Sequence, residues 1–300
     1  IQNGGTMFAY SPHERYRCCQ HNVSHGWPYY AEELWLATHD QGLVASLYAD
    51  SEVSARVGDG RNVRIVEQTE YPFGDRVQFA LEMNEPVAFP LHLRIPRWCE
   101  KPEVRINGER VRTEAGSLTF LTVNRVWKNG DSVELRLPMK VSVRTWSQNQ
   151  NAVSVHYGPL AFSLKIGERW VKSGGSDEWP ELEVFPTTPW NYGLELNPRN
   201  PAGSFTVHRR PGPIAGNPFT LENAPVELEA RGRRIPAWTL DSLGLVGKLQ
   251  PSPVRSDSGR EKITLIPMGA ARLRVSLFPV IGRGPDAREW SKSGSFGSSR

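Results

Sequence analysis

The sequence predicts a mainly β protein, two β-sandwich domains following a short opening segment without a strand pattern. Three observations carry this reading. Twenty-seven glycines and 24 prolines in 300 residues punctuate the chain too often for a mainly helical fold. Apolar residues come in short alternating or continuous runs, with turn signals roughly every ten residues, the spacing of stacked antiparallel sheets. Asn107-Gly108 and Asn129-Gly130 are strong tight-turn dipeptides between apolar runs.

Taken in order, residues 1–23 show no periodicity and read as an irregular loop. Pro28 suits a first helical position, and Ala31, Leu34, Trp35 and Thr38 recur at helical spacing, so a helix is predicted over Pro28–Thr38. Glu32 and Glu33 then fall in a first turn, where a carboxylate simply favours the helix dipole. From Gly42 the pattern changes to strands, over 43–48, 55–57, 62–69, 76–83, 88–95, 104–106, 117–123 and 132–137, with Val141–Trp146 as the last strand of the same sandwich. Ala152–Ile166 reads as a strand pair broken at Gly158-Pro159. Gly167–Phe219 is rich in Gly, Pro, Trp and Asn and reads as loops. A second small sandwich is expected from strands near 226–230, 237–240, 262–267 and 272–279. The Ser/Gly-rich tail 283–300 is expected to be mobile. The corresponding domains are 1–40, 41–147, 148–282 and the tail.

Composition narrows the function classes. Thirty-six basic against 32 acidic residues give a net charge of +4, spread without long runs, which is no electrostatic footprint for nucleic acid. No apolar run is long enough to span a bilayer, so neither nucleic acid nor membrane is an expected partner. The chain starts Ile-Gln-Asn-Gly-Gly without a methionine or a signal peptide pattern, and reads as a fragment. Its compartment, cytoplasmic or secreted, and its oligomeric state stay open.

One stretch concentrates chemistry. Arg15 to Tyr30 holds the adjacent Cys18 and Cys19, His21 and His25, and four aromatics; the one other cysteine is Cys99. Neighbouring cysteines close a strained ring if oxidised, so a vicinal disulfide is not the default. As thiolates both can face one soft cation such as zinc, and Arg15, Arg17, His21 and His25 would favour the thiolate. Alternatively both are small buried hydrophobes beside a helix. A structural zinc module would need four closed ligands, and the chain has no C-x-x-C pair. Cys99, in Pro96-Arg-Trp-Cys99, is expected to be a packed small residue. Exposed rings in loop-like sequence, Trp170, Trp179, Trp190 and Tyr192, suggest a second class of function, a non-catalytic sandwich that binds carbohydrate. Trp98 and Trp127 read as core.

Arg17-Cys-Cys-Gln-His-Asn22, with the strand Gly42–Tyr48, resembles the end of the catalytic domain of bacterial beta-L-arabinofuranosidases, glycoside hydrolase family 127 and its relatives. Leu93-Arg-Ile-Pro-Arg-Trp98, Val104-Arg-Ile-Asn-Gly108, Trp127-Lys-Asn-Gly-Asp131, Gly158-Pro-Leu160 and Ile263–Arg274 extend the likeness from about residue 10 to about residue 282. The resemblance implies that 1–40 is the last loop and helix of an (α/α)6 toroid catalytic domain. It implies a retaining glycoside hydrolase in which Cys18 is the nucleophile, Cys18 and Cys19 are zinc ligands, and His21 and His25 contact sugar. The implied substrate is a beta-L-arabinofuranoside or similar sugar of plant-type arabinose-containing glycans. The family's acid/base Glu and its remaining zinc ligands, a Glu and a Cys, would precede residue 1, so this chain alone is expected to be inactive. Gln20-His21 depart from the Pro-rich or Gly-rich residues that many members carry there, which leaves the exact sugar open.

Overall fold

The computed structural model describes residues 9–10, 17–112, 117–242 and 244–282; for 9–10 and 17–23 it gives the backbone alone. The expected mobile tail, 283–300, lies outside the described residues. The fold is mainly β, as predicted. Two short elements come first, strand β1 (Ala9–Tyr10) and helix α1 (Arg17–Glu32). The chain divides into two compact units, residues 21–140 and residues 1–20 with 141–300.

The unit of residues 21–140 holds two sheets, where the sequence predicted a sandwich over 41–147. Its strands are β2 (Trp35–Ala37), β3 (Leu43–Ala45), β4 (Ser51–Val57), β5 (Arg61–Thr69), β6 (Arg76–Glu82) and β7 (Val87–Ile95). They continue with β8 (Glu103–Ile106), β9 (Glu109–Val111), β10 (Thr119–Trp127) and β11 (Ser132–Arg136). One sheet runs β10-β7-β3-β2 and the other β4-β5-β6-β11-β8-β9. Pairing is antiparallel except β3 with β7, where Leu43 lies beside Leu91. Alternation decides the faces. In β6, Val77, Phe79 and Leu81 are buried between exposed neighbours, and in β7 Val87, Phe89, Leu91, Leu93 and Ile95 all point inward. These side chains form one cluster around Trp127, which is fully buried. The Trp127 indole Nε1 donates to the Phe89 carbonyl at 3.0 Å, so the ring is buried without an unpaired polar atom.

The two tight-turn dipeptides resolve differently. Asn107 and Gly108 both take positive φ, 52° and 83°, and join the paired β8 and β9, the geometry a two-residue hairpin requires. Asn129-Gly130 links β10 to β11, which lie in different sheets, so it is a crossover corner rather than a hairpin. Gly42 serves a close approach: a Cβ there would stand 2.2 Å from the Pro90 carbonyl oxygen.

The predicted helix is shifted. α1 begins at Arg17 and ends at Glu32, with Pro28 in its interior, whereas the sequence placed residues 1–23 in a loop and Pro28 at the start. Trp35–Ala37 is a strand instead of a helical turn. Residues 24–33 are exposed on every side, so this part of the helix has no apolar stripe of the kind that would have announced it. Glu32 and Glu33 consequently sit at the C-terminal end, where a carboxylate gains nothing from the dipole.

The other unit contains β12 (Val141–Trp146), β13 (Ala152–Tyr157), β14 (Leu160–Leu164), β15 (Glu168–Gly175) and β16 (Pro180–Pro186). It is completed by β17 (Tyr192–Leu194), β18 (Thr206–Arg209), β19 (Val226–Arg234) and β20 (Arg260–Pro267). A seven-stranded sheet runs β12-β13-β14-β20-β19-β17, with β18 also paired to β19. Val141–Trp146 therefore pairs with β13 and joins neither sheet of the first sandwich. β15 and β16 form a three-stranded sheet with β1, so Gly167–Phe219, expected to be loops, holds four strands. Conversely, 237–240 and 272–279 form isolated bridges, Leu240 with Val246 and Val153 with Phe278, in place of strands. Pro279 has no N–H and cannot continue a ladder. Its carbonyl instead accepts from Leu194 N at 2.9 Å.

Candidate functional site

Helix α1 carries every catalytic and metal-ligating candidate that the sequence singled out, Cys18, Cys19, His21 and His25. Cys18 and Cys19 lie in its first turn, where the helix N-terminus favours a thiolate. By the 3.6-residue period, positions 18, 21 and 25 fall on one face, a juxtaposition that a loop would not give. The side chains of Cys18, Cys19 and His21 lie outside the described residues, and His25 is exposed. Nearby, Trp27 and Tyr29 are 71% and 68% exposed, and Trp27 meets Tyr30 edge to face at 6.3 Å.

Within the unit of residues 21–140, Tyr30 opens a polar cluster. Tyr30 Oη donates to the Tyr48 carbonyl at 3.4 Å, and Tyr48 Oη donates to the Arg94 carbonyl at 2.7 Å. The Arg94 guanidinium lies 5.9 Å from the Tyr48 ring centre, and its Nε donates to the Ser46 carbonyl. Trp35 Nε1 donates to Ser51 Oγ at 3.1 Å, and Ser51 Oγ donates to Glu67 Oε2 at 3.2 Å. Glu67 Oε1 accepts from Ala49 N at 3.2 Å. Burial pushes the Glu67 carboxyl up to about 8, with the Asp50 charge adding to it, against the two hydrogen bonds. Burial likewise raises the Tyr48 and Tyr71 hydroxyls. The cluster fastens the segment after α1 to the sandwich. Sequence reading missed Glu67, although a signal was present: in β5 it takes the inward position that Ile65 and Val63 occupy two and four residues earlier.

Among the described residues no three His, Cys, Asp or Glu side chains converge as a metal site. Cys99 is fully buried, and burial pushes its thiol up, which fits the packed, unreactive role expected of it. The four loop rings do not make a platform. Trp170 and Trp179 are exposed, whereas Trp190 packs edge-to-face on Trp238 at 5.3 Å and Tyr192 is buried, donating to Glu261 at 2.7 Å. No helix among the described residues is long and apolar enough to cross a membrane.

Comparison with known proteins places this geometry. Residues 42–139 match the family model described as the beta-L-arabinofuranosidase GH127 middle domain. The structure is similar to a GH127 beta-L-arabinofuranosidase from Geobacillus stearothermophilus T6, with TM-score 0.58 and 25% identity, over 84% of this chain and 35% of that one. A solved glycoside hydrolase gives TM-score 0.60 at 22% identity, covering 92% of this chain and 44% of its own. A GH127 beta-arabinofuranosidase gives 0.63 at 18%, covering 92% and 41%; these last two likenesses concern the fold. The chain thus spans less than half the length of each of these structures. No curated protein matches it.

Proposed function

For a chain that carries the GH127 middle domain and resembles the beta-L-arabinofuranosidases of that family, we propose that it is the C-terminal portion of a retaining glycoside hydrolase. The substrate would be a terminal beta-L-arabinofuranoside or a similar sugar in a plant-type glycan. The observation that carries this reading is the placement of Cys18 and Cys19 in the first turn of α1, directly before a sandwich of the GH127 type.

Two adjacent sulfurs fit half of a tetrahedral zinc set, and the other ligands would come from outside the described residues. When bound, zinc would keep the sulfur deprotonated at neutral pH. Cys18 would attack the anomeric carbon and form a carbon–sulfur bond as the glycosidic carbon–oxygen bond breaks. A carboxylic acid would protonate the leaving oxygen and then, as carboxylate, take a proton from the water that releases the sugar. His21 and His25, on the same helical face as Cys18, are proposed sugar contacts. That acid is a Glu preceding residue 1 in this reading, which makes the activity a property of the intact protein.

The test is hydrolysis of a chromogenic beta-L-arabinofuranoside by the intact protein, wild type beside Cys18→Ala and Cys19→Ala. Loss of turnover by at least about 10³-fold in Cys18→Ala, and of zinc in Cys19→Ala, is expected. Turnover unchanged in Cys18→Ala would remove the nucleophile assignment.

A further inference from the structure

A groove of about 910 Å³ opens on the unit of residues 21–140, along β4, β5 and β6 and the Asn129-Gly130 corner. Its polar lining comes from Arg56, Asn62, Arg64, Glu82, Asn84 and Asn129. The register explains the arrangement, since Arg56 lies opposite Asn62, and Arg64 opposite Glu82. Arg64 is locked in place, with Nη1 on Glu82 at 2.7 Å and Nη2 on Glu52 at 2.5 Å. Asn129 is fixed as well: its Oδ1 accepts from Met83 N at 3.1 Å, which orients the amide and leaves its NH₂ as a donor. The side chains of Arg56, Asn62 and Asn84 have no hydrogen-bond or ion-pair partner among the described residues. The corner itself leaves the wall open, for nothing lies within 4 Å of a Cβ placed on Gly130.

The chemistry of this lining selects a ligand class. Glu82 in the lining and Glu52 beside it both hold Arg64, and their surplus negative charge offsets Arg56, so these four groups together present no net charge to an anion such as phosphate. It lacks a cluster of acidic or imidazole ligands for a divalent cation. No large apolar side chain of the lining is exposed, so an apolar peptide would gain little there. What remains is an array of planar donors and acceptors, with Arg64, Glu82 and Asn129 fixed and Arg56, Asn62 and Asn84 unpaired among the described residues, of the kind that pairs with vicinal hydroxyl groups acting as donor and acceptor at once. We propose that this groove binds a neutral saccharide. That the ligand is a sugar rests on the glycoside hydrolase reading; the position and neutrality of the site rest on the groove alone.

The experiment is titration of this chain, labelled with nitrogen-15, with a panel of neutral pentose and hexose trisaccharides, beta-linked L-arabinose among them, and separately with inorganic phosphate. Amide shifts are expected to concentrate at residues 54–64, 82–84 and 129–130 on adding a saccharide, with none of comparable size on adding phosphate. Arg56→Ala and Asn62→Ala, both at partner-free surface positions, are expected to keep the wild-type spectrum and weaken binding by about tenfold each. No saccharide response up to about 10 mM, a response confined to other residues, or variants that bind as tightly as wild type would overturn the proposal. Failure of the two readings is separable: an intact protein that hydrolyses arabinofuranosides while the groove stays silent removes the groove, and saccharide binding in the groove with no hydrolysis removes the enzyme.

Discussion

At the scale of single residues, Glu67 is a carboxylic acid in an environment that opposes its charge. Its carboxyl is pushed from an ordinary 4.5 up to about 8 by burial, so the folded state holds a proton that the unfolded chain releases near its ordinary value. The sign follows: the folded state binds more protons throughout that window, and stability falls as pH rises from about 4.5 to about 8. Denaturant unfolding at pH 5, 6, 7 and 8 is expected to show this decline. Glu67→Gln, which keeps an acceptor for Ala49 N but cannot ionise, is expected to flatten it. A wild-type profile that rises with pH over this range would contradict the protonated assignment. The double cysteine lies at the same scale and was legible as chemistry in the sequence. Its helical setting was not, because the described part of that helix, residues 24–32, is exposed all round and leaves no hydrophobic period to read.

Strands and turns show where sequence reading succeeds. Most strands of the first sandwich were readable because they have one buried face, and alternation such as that of Val77, Phe79 and Leu81 states that face directly; β2 and β9, with no buried residue, were not. The second unit was harder. β13 is buried at five of its six positions, which erases alternation, and 272–279 covers apolar surface through isolated bridges that have no period at all. Prolines misled in both directions: Pro28 marked a helix start and stands in a helix interior. Two turn predictions separate physical causes. Gly108→Ala meets open space but keeps a φ of 83°, and should cost about 1 kcal/mol through backbone strain alone. Gly42→Ala would drive a methyl into the Pro90 carbonyl and should cost about 1–3 kcal/mol through overpacking. Paired unfolding curves check the order; equal costs would contradict it. Trp127→Ala should cost about 3–5 kcal/mol, since it empties the centre of the cluster and removes the donor to Phe89.

On the scale of the whole molecule, the fold and the family likeness converge, while the chemistry is divided. Residues 42–139, which hold every strand of the first sandwich except β2, match the GH127 middle domain, yet this chain spans 35% of the Geobacillus enzyme it resembles. In the proposed reading two adjacent cysteines on α1 would supply a nucleophile and part of a metal site, and a groove on the first sandwich would offer neutral hydrogen-bonding chemistry. General acid, further metal ligands and most sugar contacts belong, in this account, to the intact protein. The measurement that bears most directly on that account is mass spectrometry of the intact protein quenched in acid during turnover of a beta-L-arabinofuranoside. The account predicts a single pentosyl adduct on the peptide containing Cys18, absent from Cys18→Ala. An adduct on a carboxylate peptide, or turnover with no adduct and full activity in Cys18→Ala, would contradict it.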